Sequence, residues 1–230
     1  MTLFDNIFDA IDHGEPTKTL AKANVFCYAW VMKYEELVNF VGFLHKFSNV
    51  MRTVKVSGRE GFENDAEHSY QVAMASWFIA ERMGLKVNQQ RLLEYALVHD
   101  LVEVYAGDTD MFISSKEHIA SKAEREAAAL DRIKREFSDF PSLAERLHDY
   151  ESLLDLESKI VCMVDKFLPD LSLYIGNDDY YKRNKVTLQE WEKWFNSKLK
   201  KIGFEDSKML ELANSFKQFV VSRNPFYREG

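Results

Sequence analysis

The sequence predicts an all-α chain. Three observations carry that expectation: apolar residues recur mostly at spacings of three and four, only nine glycines and four prolines interrupt 230 residues, and no two segments read as a strand pair. With 46% hydrophobic and 29% charged residues the chain can bury a sizeable core, and its length suits one domain. A single domain over residues 1–230 is therefore expected, with a core at about 37–175, a helical N-terminal arm at 1–36 and a helical C-terminal extension at 176–230.

Asn64 or Asp65 can cap a helix that runs to about Met83, with Val72, Ala75, Trp77, Phe78 and Ile79 as its apolar stripe and Gly84 as its stop. His68 falls in its first turn. A second helix is expected from about Asn88 to Tyr105, halting near Gly107; Leu93, Ala96, Leu97, Leu101 and Val104 make it largely apolar and place His99 and Asp100 inside. Ser114 to Phe137 reads as one long charged helix in which Lys122 faces Glu126. Pro141 starts a short helix. Leu153 to Leu168 reads as a buried helix whose Leu156, Ile160, Val161 and Val164 flank Asp165, with Pro169 helping to end it. Thr187 to Ile202 and Asp206 to Val221 complete the chain as amphipathic helices. Their Trp191, Trp194, Phe195, Phe216 and Phe219 are core in the simplest reading and a subunit contact in the alternative.

Several function classes recede at once. A net charge of −7 supplies no basic field for a polyanion, so no nucleic-acid partner is expected. Two cysteines, Cys27 and Cys162, make neither a disulfide framework nor a four-thiolate zinc site and fit a reducing compartment. No run of eighteen apolar residues occurs and acids break the apolar N-terminus, so neither a membrane span nor an ordinary signal peptide is expected. The expectation is a soluble, cytoplasmic protein.

Two His-Asp dipeptides occur, His99-Asp100 and His148-Asp149, and their contexts differ. His148 lies in the polar stretch LAERLHDYES, where an exposed helical histidine suffices. His99 lies in an apolar helix, and an imidazole beside a carboxylate is costly to bury unless each is paired or bound to metal. Glu103, four residues on, shares a helical face with His99, and Asp108 follows the Gly107 that ends the helix. Three carboxylates crowded there would repel or protonate, whereas a divalent cation turns the repulsion into ligation. His68 and Asp165 are two further polar residues in apolar helices; each has a plainer reading, as a helix-start residue and as half of an ion pair. Together the four suit one divalent ion, Mn, Co, Fe, Ni, Zn or Mg, with coordination positions left over for water or substrate.

These residues resemble the HD-domain phosphohydrolases, whose signature is a histidine, a later His-Asp pair and a distant aspartate, here His68, His99-Asp100 and Asp165. Within that superfamily the chain is most similar to the bacterial 5'-deoxynucleotidases, whose extended pattern is matched by HDLVEVYAGD at residues 99–108. The resemblance spans roughly Phe40 to Leu173. It implies an HD-type helical bundle, one metal ion, attack of a metal-bound water, release of phosphate from a nucleoside 5'-monophosphate, and homodimers. On matching positions it implies that Glu103 orients or deprotonates the water, that Asp108 assists the nucleophile or binds the sugar, and that Arg52, sixteen residues before His68, binds phosphate. A planar guanidinium suits that task on any fold, although a surface arginine in a polar loop is the plainer reading. Thr53 stands where those enzymes carry an aromatic residue against the sugar, which leaves deoxyribose preference open. Two rivals are weighed. A nucleoside triphosphate triphosphohydrolase would use the same ligands with extra basic groups, for which Lys116, Lys122 and Arg125 are available, and a helical scaffold would use the metal only as a staple.

Overall fold

The computed structural model describes residues 33–228, which carry eleven helices and one small sheet. Backbone contacts divide the chain into residues 1–42 and 43–230. The arm expected at 1–36 therefore falls almost wholly outside the described residues. In chain order the elements are α1 (Tyr34–Phe47), β1 (Met51–Lys55), β2 (Phe62–Asn64), α2 (Asp65–Met83), α3 (Gln89–Val98), α4 (Glu103–Ala106), α5 (Lys116–Ala120), α6 (Lys122–Glu136), α7 (Pro141–Ser152), α8 (Leu156–Ile175), α9 (Tyr180–Arg183), α10 (Leu188–Ile202) and α11 (Ser207–Arg223). The all-α expectation holds apart from the two antiparallel strands.

Local chemistry sets the helix ends. Asn64 and Glu67 form a reciprocal capping box at the start of α2, and Gly84, at φ 62°, closes it in the left-handed conformation that costs glycine least. The face α2 buries consists of Asp65, His68, Ser69, Val72, Ala73, Ser76 and Ala80, small or polar residues that let it approach α3 and α8 closely. The stripe expected over Trp77 and Phe78 is thus rotated outward, Phe78 being 68% exposed.

The helix expected over residues 88–105 is two helices. Asn88 caps α3, which ends at Val98, and from there Leu101, Glu103, Val104 and Tyr105 all donate three residues back instead of four. Tightening of this kind brings residues three apart onto one side, so Asp100 and Glu103 face together. Leu97, expected inside, is 54% exposed. The charged helix expected at 114–137 also breaks, at Ser121, into α5 and α6.

The twenty-residue α8 is the central element, packed against α2, α3, α7, α10, α11 and β1. Asp155 caps its start, accepting from the Ser158 amide. Pro169 does not end it. The proline removes the amide that would have bonded the Asp165 carbonyl, yet the helix continues to Ile175 because its last turns are anchored: Leu173 is buried, and the buried Asp170 accepts from Tyr181 Oη and Trp191 Nε1. Beyond α8, Trp191 stacks on Phe195 at 4.9 Å and Phe167 on Phe216 at 3.8 Å, so these aromatics of α10 and α11 are core. Each buried ring of this size contributes roughly 2–3 kcal/mol.

The strands matter for what they aim. Met51 pairs with Asn64 and Lys55 with Phe62, so the register slips between them and β1 bulges. A bulge re-aims side chains. Arg52, Thr53 and Val54, which would alternate in a regular strand, all line one cleft.

Candidate active site

Three elements bring the predicted ligands together. His68 comes from the first turn of α2, His99 and Asp100 from the end of α3, and Asp165 from the middle of α8. His68 Nε2 lies 3.1 Å from Asp165 Oδ1 and 3.9 Å from Asp100 Oδ2, while His99 Nε2 lies 3.1 Å from Asp100 Oδ2. One donor atom from each of the four falls within 4.8 Å of the others. His148 and Asp149 lie apart, on α7, with His148 exposed and Asp149 paired to Arg146.

Proton bookkeeping tests whether this cluster fits a metal. His99 Nδ1 is 2.8 Å from the Ala96 carbonyl, which can only accept, so the proton sits on Nδ1 and Nε2 carries the lone pair. That lone pair faces the Asp100 carboxylate, also an acceptor, and Nε2 makes no hydrogen bond although it is buried. Two buried acceptors at 3.1 Å need a cation or a second proton between them. On the other ring, Glu63 Oε2 lies 3.3 Å from His68 Nδ1, an outer carboxylate of the kind that turns Nε2 toward a metal. The donor set fits a divalent ion.

The surroundings are strongly coupled. Burial pushes the Asp100 carboxyl up, but a second proton on His99, on the nitrogen facing it, would together with Arg52 outweigh burial and hold the group well below the usual range. Asp165 behaves alike, with Lys166 and His68 overcoming its burial. The outer acids go the other way. Burial beside Asp100 and Asp108 pushes Glu103 well up, burial near Asp100 lifts Asp65 to about 7, and burial raises Asp108. Positive charge in the cluster would restore their ionised forms.

The predicted phosphate ligand, Arg52, is no surface arginine. Its guanidinium lies 3.1 Å from Asp100, 3.4 Å from Asp65 and 3.5 Å from Glu63; burial opposes its charge, but Asp100, Asp108, Asp165 and Glu103 raise its already high pKa further. Lys122 reaches both Glu126 at 2.9 Å, the expected pair, and Glu103 Oε1 at 3.4 Å. Glu103 Oε2 is buried without a hydrogen-bond partner. Arg125 turns inward to the Ala106 carbonyl and Thr109.

Two of the four candidate ligands, Asp100 and Asp165, line a cleft together with Glu103, Asp108 and Arg52. Phe112, Tyr180, Tyr181, Trp194, Leu173 and Pro169 line the same cleft, which encloses about 880 Å³ and is open to solvent. A cleft of this size and mixed lining suits a small organic anion with a flat apolar part. The C-terminal helices thus cover the cleft. Thr53 and Tyr180 both donate to Asp110 Oδ2, tying β1, the loop after Gly107 and α9 into one wall. Sequence reasoning missed Glu63, Asp65, Lys166, Tyr180 and Lys198 here. Asp65 was read only as a helix cap, and Lys166 had a signal in its position next to Asp165; the others had none, because distant loops and helices deliver them.

A model of the HD domain family matches residues 44–206. The chain is 33% identical to a 5'-deoxynucleotidase of Vibrio cholerae serotype O1 and 31% identical to one of Vibrio parahaemolyticus, each over 144 residues that span 56% of this chain and 73% of the relative. A structure from Magnetospirillum magnetotacticum, described as a predicted metal-dependent phosphohydrolase, has the same fold, with a TM-score of 0.68, 24% identity, and coverage of 85% of this chain and 96% of that one. With its metal-ligand signature assembled in space and the family model spanning well over half its length, the chain belongs to the HD domain family.

Proposed function

We propose that the protein is a metal-dependent phosphohydrolase that releases phosphate from nucleoside 5'-monophosphates. The observation that carries this reading is the largely buried His68, His99, Asp100 and Asp165 cluster, whose two aspartates line a cleft that carries further acids and aromatic rings. Those four residues would hold one divalent ion, manganese, cobalt, iron, nickel, zinc or magnesium. Such an ion lowers the pKa of water and neutralises charge that gathers on phosphoryl oxygens.

The chain's own groups do the rest. Lys122 holds Glu103 Oε1, which leaves Oε2 free to take a proton from the attacking water. Arg52, fixed by its three acids, presents a guanidinium to the phosphate. Asp108 lines the cleft one residue from the buried Thr109, within reach of the sugar or of the nucleophile. Phe112, Tyr181 and Trp194 offer faces on which a base can stack, Phe112 meeting both other rings at 5.7 and 5.4 Å. The V. cholerae and V. parahaemolyticus relatives carry the name of the same activity.

Lys122 and Lys166 in the cleft favour a second reading, hydrolysis of nucleoside triphosphates to the nucleoside and tripolyphosphate. The reading also includes a homodimer in the cytoplasm, as the resemblance implies; among the described residues no helix is long and apolar enough to cross a membrane. A panel of nucleoside mono- and triphosphates with added manganese or cobalt decides. Orthophosphate from monophosphates is the expected result, tripolyphosphate would establish the second reading, and silence throughout would leave a scaffold with a structural ion.

A further inference from the structure

In a chain whose net charge is −7, Lys122, Lys166 and Lys198 line both the cleft and a second pocket beside His99, Asp100 and Asp165, where Lys201 joins them. Three have acids to answer them. Lys122 meets Glu103 and Glu126, Lys166 bonds Asp165, and Lys201 is the strongest positive influence on the Glu151 carboxyl. Lys198, on α10, has no hydrogen bond or ion pair among the described residues. Its strongest charged neighbours are Lys166 and Lys201, and the opposite-sign group that acts on it is the Cys162 thiol, which burial pushes up and so keeps neutral. Burial beside those like charges pulls the Lys198 ammonium down to about 8.

A second observation comes from the same helix. Trp194 stands one turn before Lys198, so the two share a face, and both line the cleft. Trp194 Nε1 is buried there with no hydrogen-bond partner. An indole N–H and an ammonium are both donors only. Two neighbouring donors with nothing to accept from them call for a ligand rich in acceptors and negative charge. Arg52, the cation already assigned to the phosphate, shares its guanidinium with Asp100, Asp65 and Glu63 and so meets a dianion's acceptors only in part.

We infer that Lys198, with Trp194 Nε1 beside it and Lys166 behind it, forms a phosphate subsite on α10 that receives the phosphate group of the substrate. This rests on the phosphohydrolase reading, and it makes α10 part of substrate recognition and not only a cover for the cleft. The ligand chemistry is that of a phosphate dianion, whether esterified to a nucleoside or free as product.

The test titrates inorganic phosphate into the manganese-loaded chain by calorimetry, for the wild type, Lys198→Ala and Lys198→Arg, with bound manganese measured in each. A charged hydrogen bond lost from such a site weakens phosphate binding by about tenfold or more. The expected result is that loss in Lys198→Ala, an equal rise in KM for a nucleoside 5'-monophosphate with unchanged manganese content, unchanged affinity for the unphosphorylated nucleoside, and substantial recovery in Lys198→Arg. Phosphate affinity within twofold of wild type in Lys198→Ala, or an equal loss of nucleoside affinity, overturns the subsite. Because the titration needs no turnover, a chain that binds phosphate through Lys198 yet releases none from the nucleotide panel upholds the subsite and defeats the hydrolase reading instead.

Discussion

Replacing Glu63 separates the metal centre from the groups that orient it. Glu63 is 3% exposed; its Oε1 accepts from Gln71 Nε2, and its Oε2 lies 3.3 Å from His68 Nδ1 and 3.5 Å from Arg52 Nε. A metal on His68 Nε2, which here lies 3.1 Å from Asp165 Oδ1, would put the ring proton on Nδ1, where this one carboxylate oxygen is the neighbouring acceptor, as it is for Arg52 Nε. Glu63→Ala removes the carboxylate that faces both groups. Loss of the outer partner of a ligating histidine typically weakens metal binding by about 10- to 100-fold, which is about 1.4–2.7 kcal/mol. Chelator competition against manganese or cobalt measures this directly, with circular dichroism to establish that the variant is folded. Glu63→Gln keeps an acceptor on His68 Nδ1 and should recover most of the affinity. A folded Glu63→Ala variant that binds metal as tightly as wild type would refute the orienting role and the tautomer argument with it.

Glu103→Gln should retain metal by the same competition assay while kcat falls by about a hundredfold or more, since a buried carboxylate oxygen with no partner is lost as proton acceptor; unchanged turnover removes Glu103 from the chemistry. Asp170, lifted by burial from 3.8 to about 7, favours the protonated form in the fold. Its contribution is therefore fully present below about pH 3.8 and lost as pH rises through about 7, a difference of up to about 4 kcal/mol. Urea unfolding at pH 5 and pH 8 should show wild type weakening across that window more steeply than Asp170→Asn, whose remaining slope comes from Asp65, Glu103 and Asp108; equal slopes contradict the assignment. Trp191→Ala should cost about 3–5 kcal/mol in the same unfolding assay, because it empties a fully buried stack and strips Asp170 Oδ2 of its donor.

What the sequence announced was whatever depends on local spacing. The cap at Asn64, the Gly84 stop, the buried helix around Asp165 and the apolar setting of His99-Asp100 are all decided within a turn or two of chain. The four candidate ligands could be named because each is a polar residue in an apolar helix. What failed to show was whatever depends on a partner far along the chain. Pro169 reads as a stop until Tyr181 and Trp191 are seen holding Asp170 in place. The outward turn of Trp77 and Phe78 follows from how closely α2 must approach α8, which hydrophobicity alone does not encode. β1 is short and bulged, so its alternation is too weak to mark a strand, and Arg52 could not be told from a surface residue. Lys198 shares a helix with Lys193, Lys200 and Lys201, and nothing in its neighbours distinguishes it from a solvated lysine.

The account depends above all on one ion shared by α2, α3 and α8. Quantifying metal by elemental analysis in wild type and in Asp100→Ala, after loading with manganese and removal of the excess, tests it most directly. The account predicts one ion per wild-type chain and its loss from a folded Asp100→Ala variant. A wild-type chain that retains no ion, or an Asp100→Ala chain that retains it fully, would contradict it.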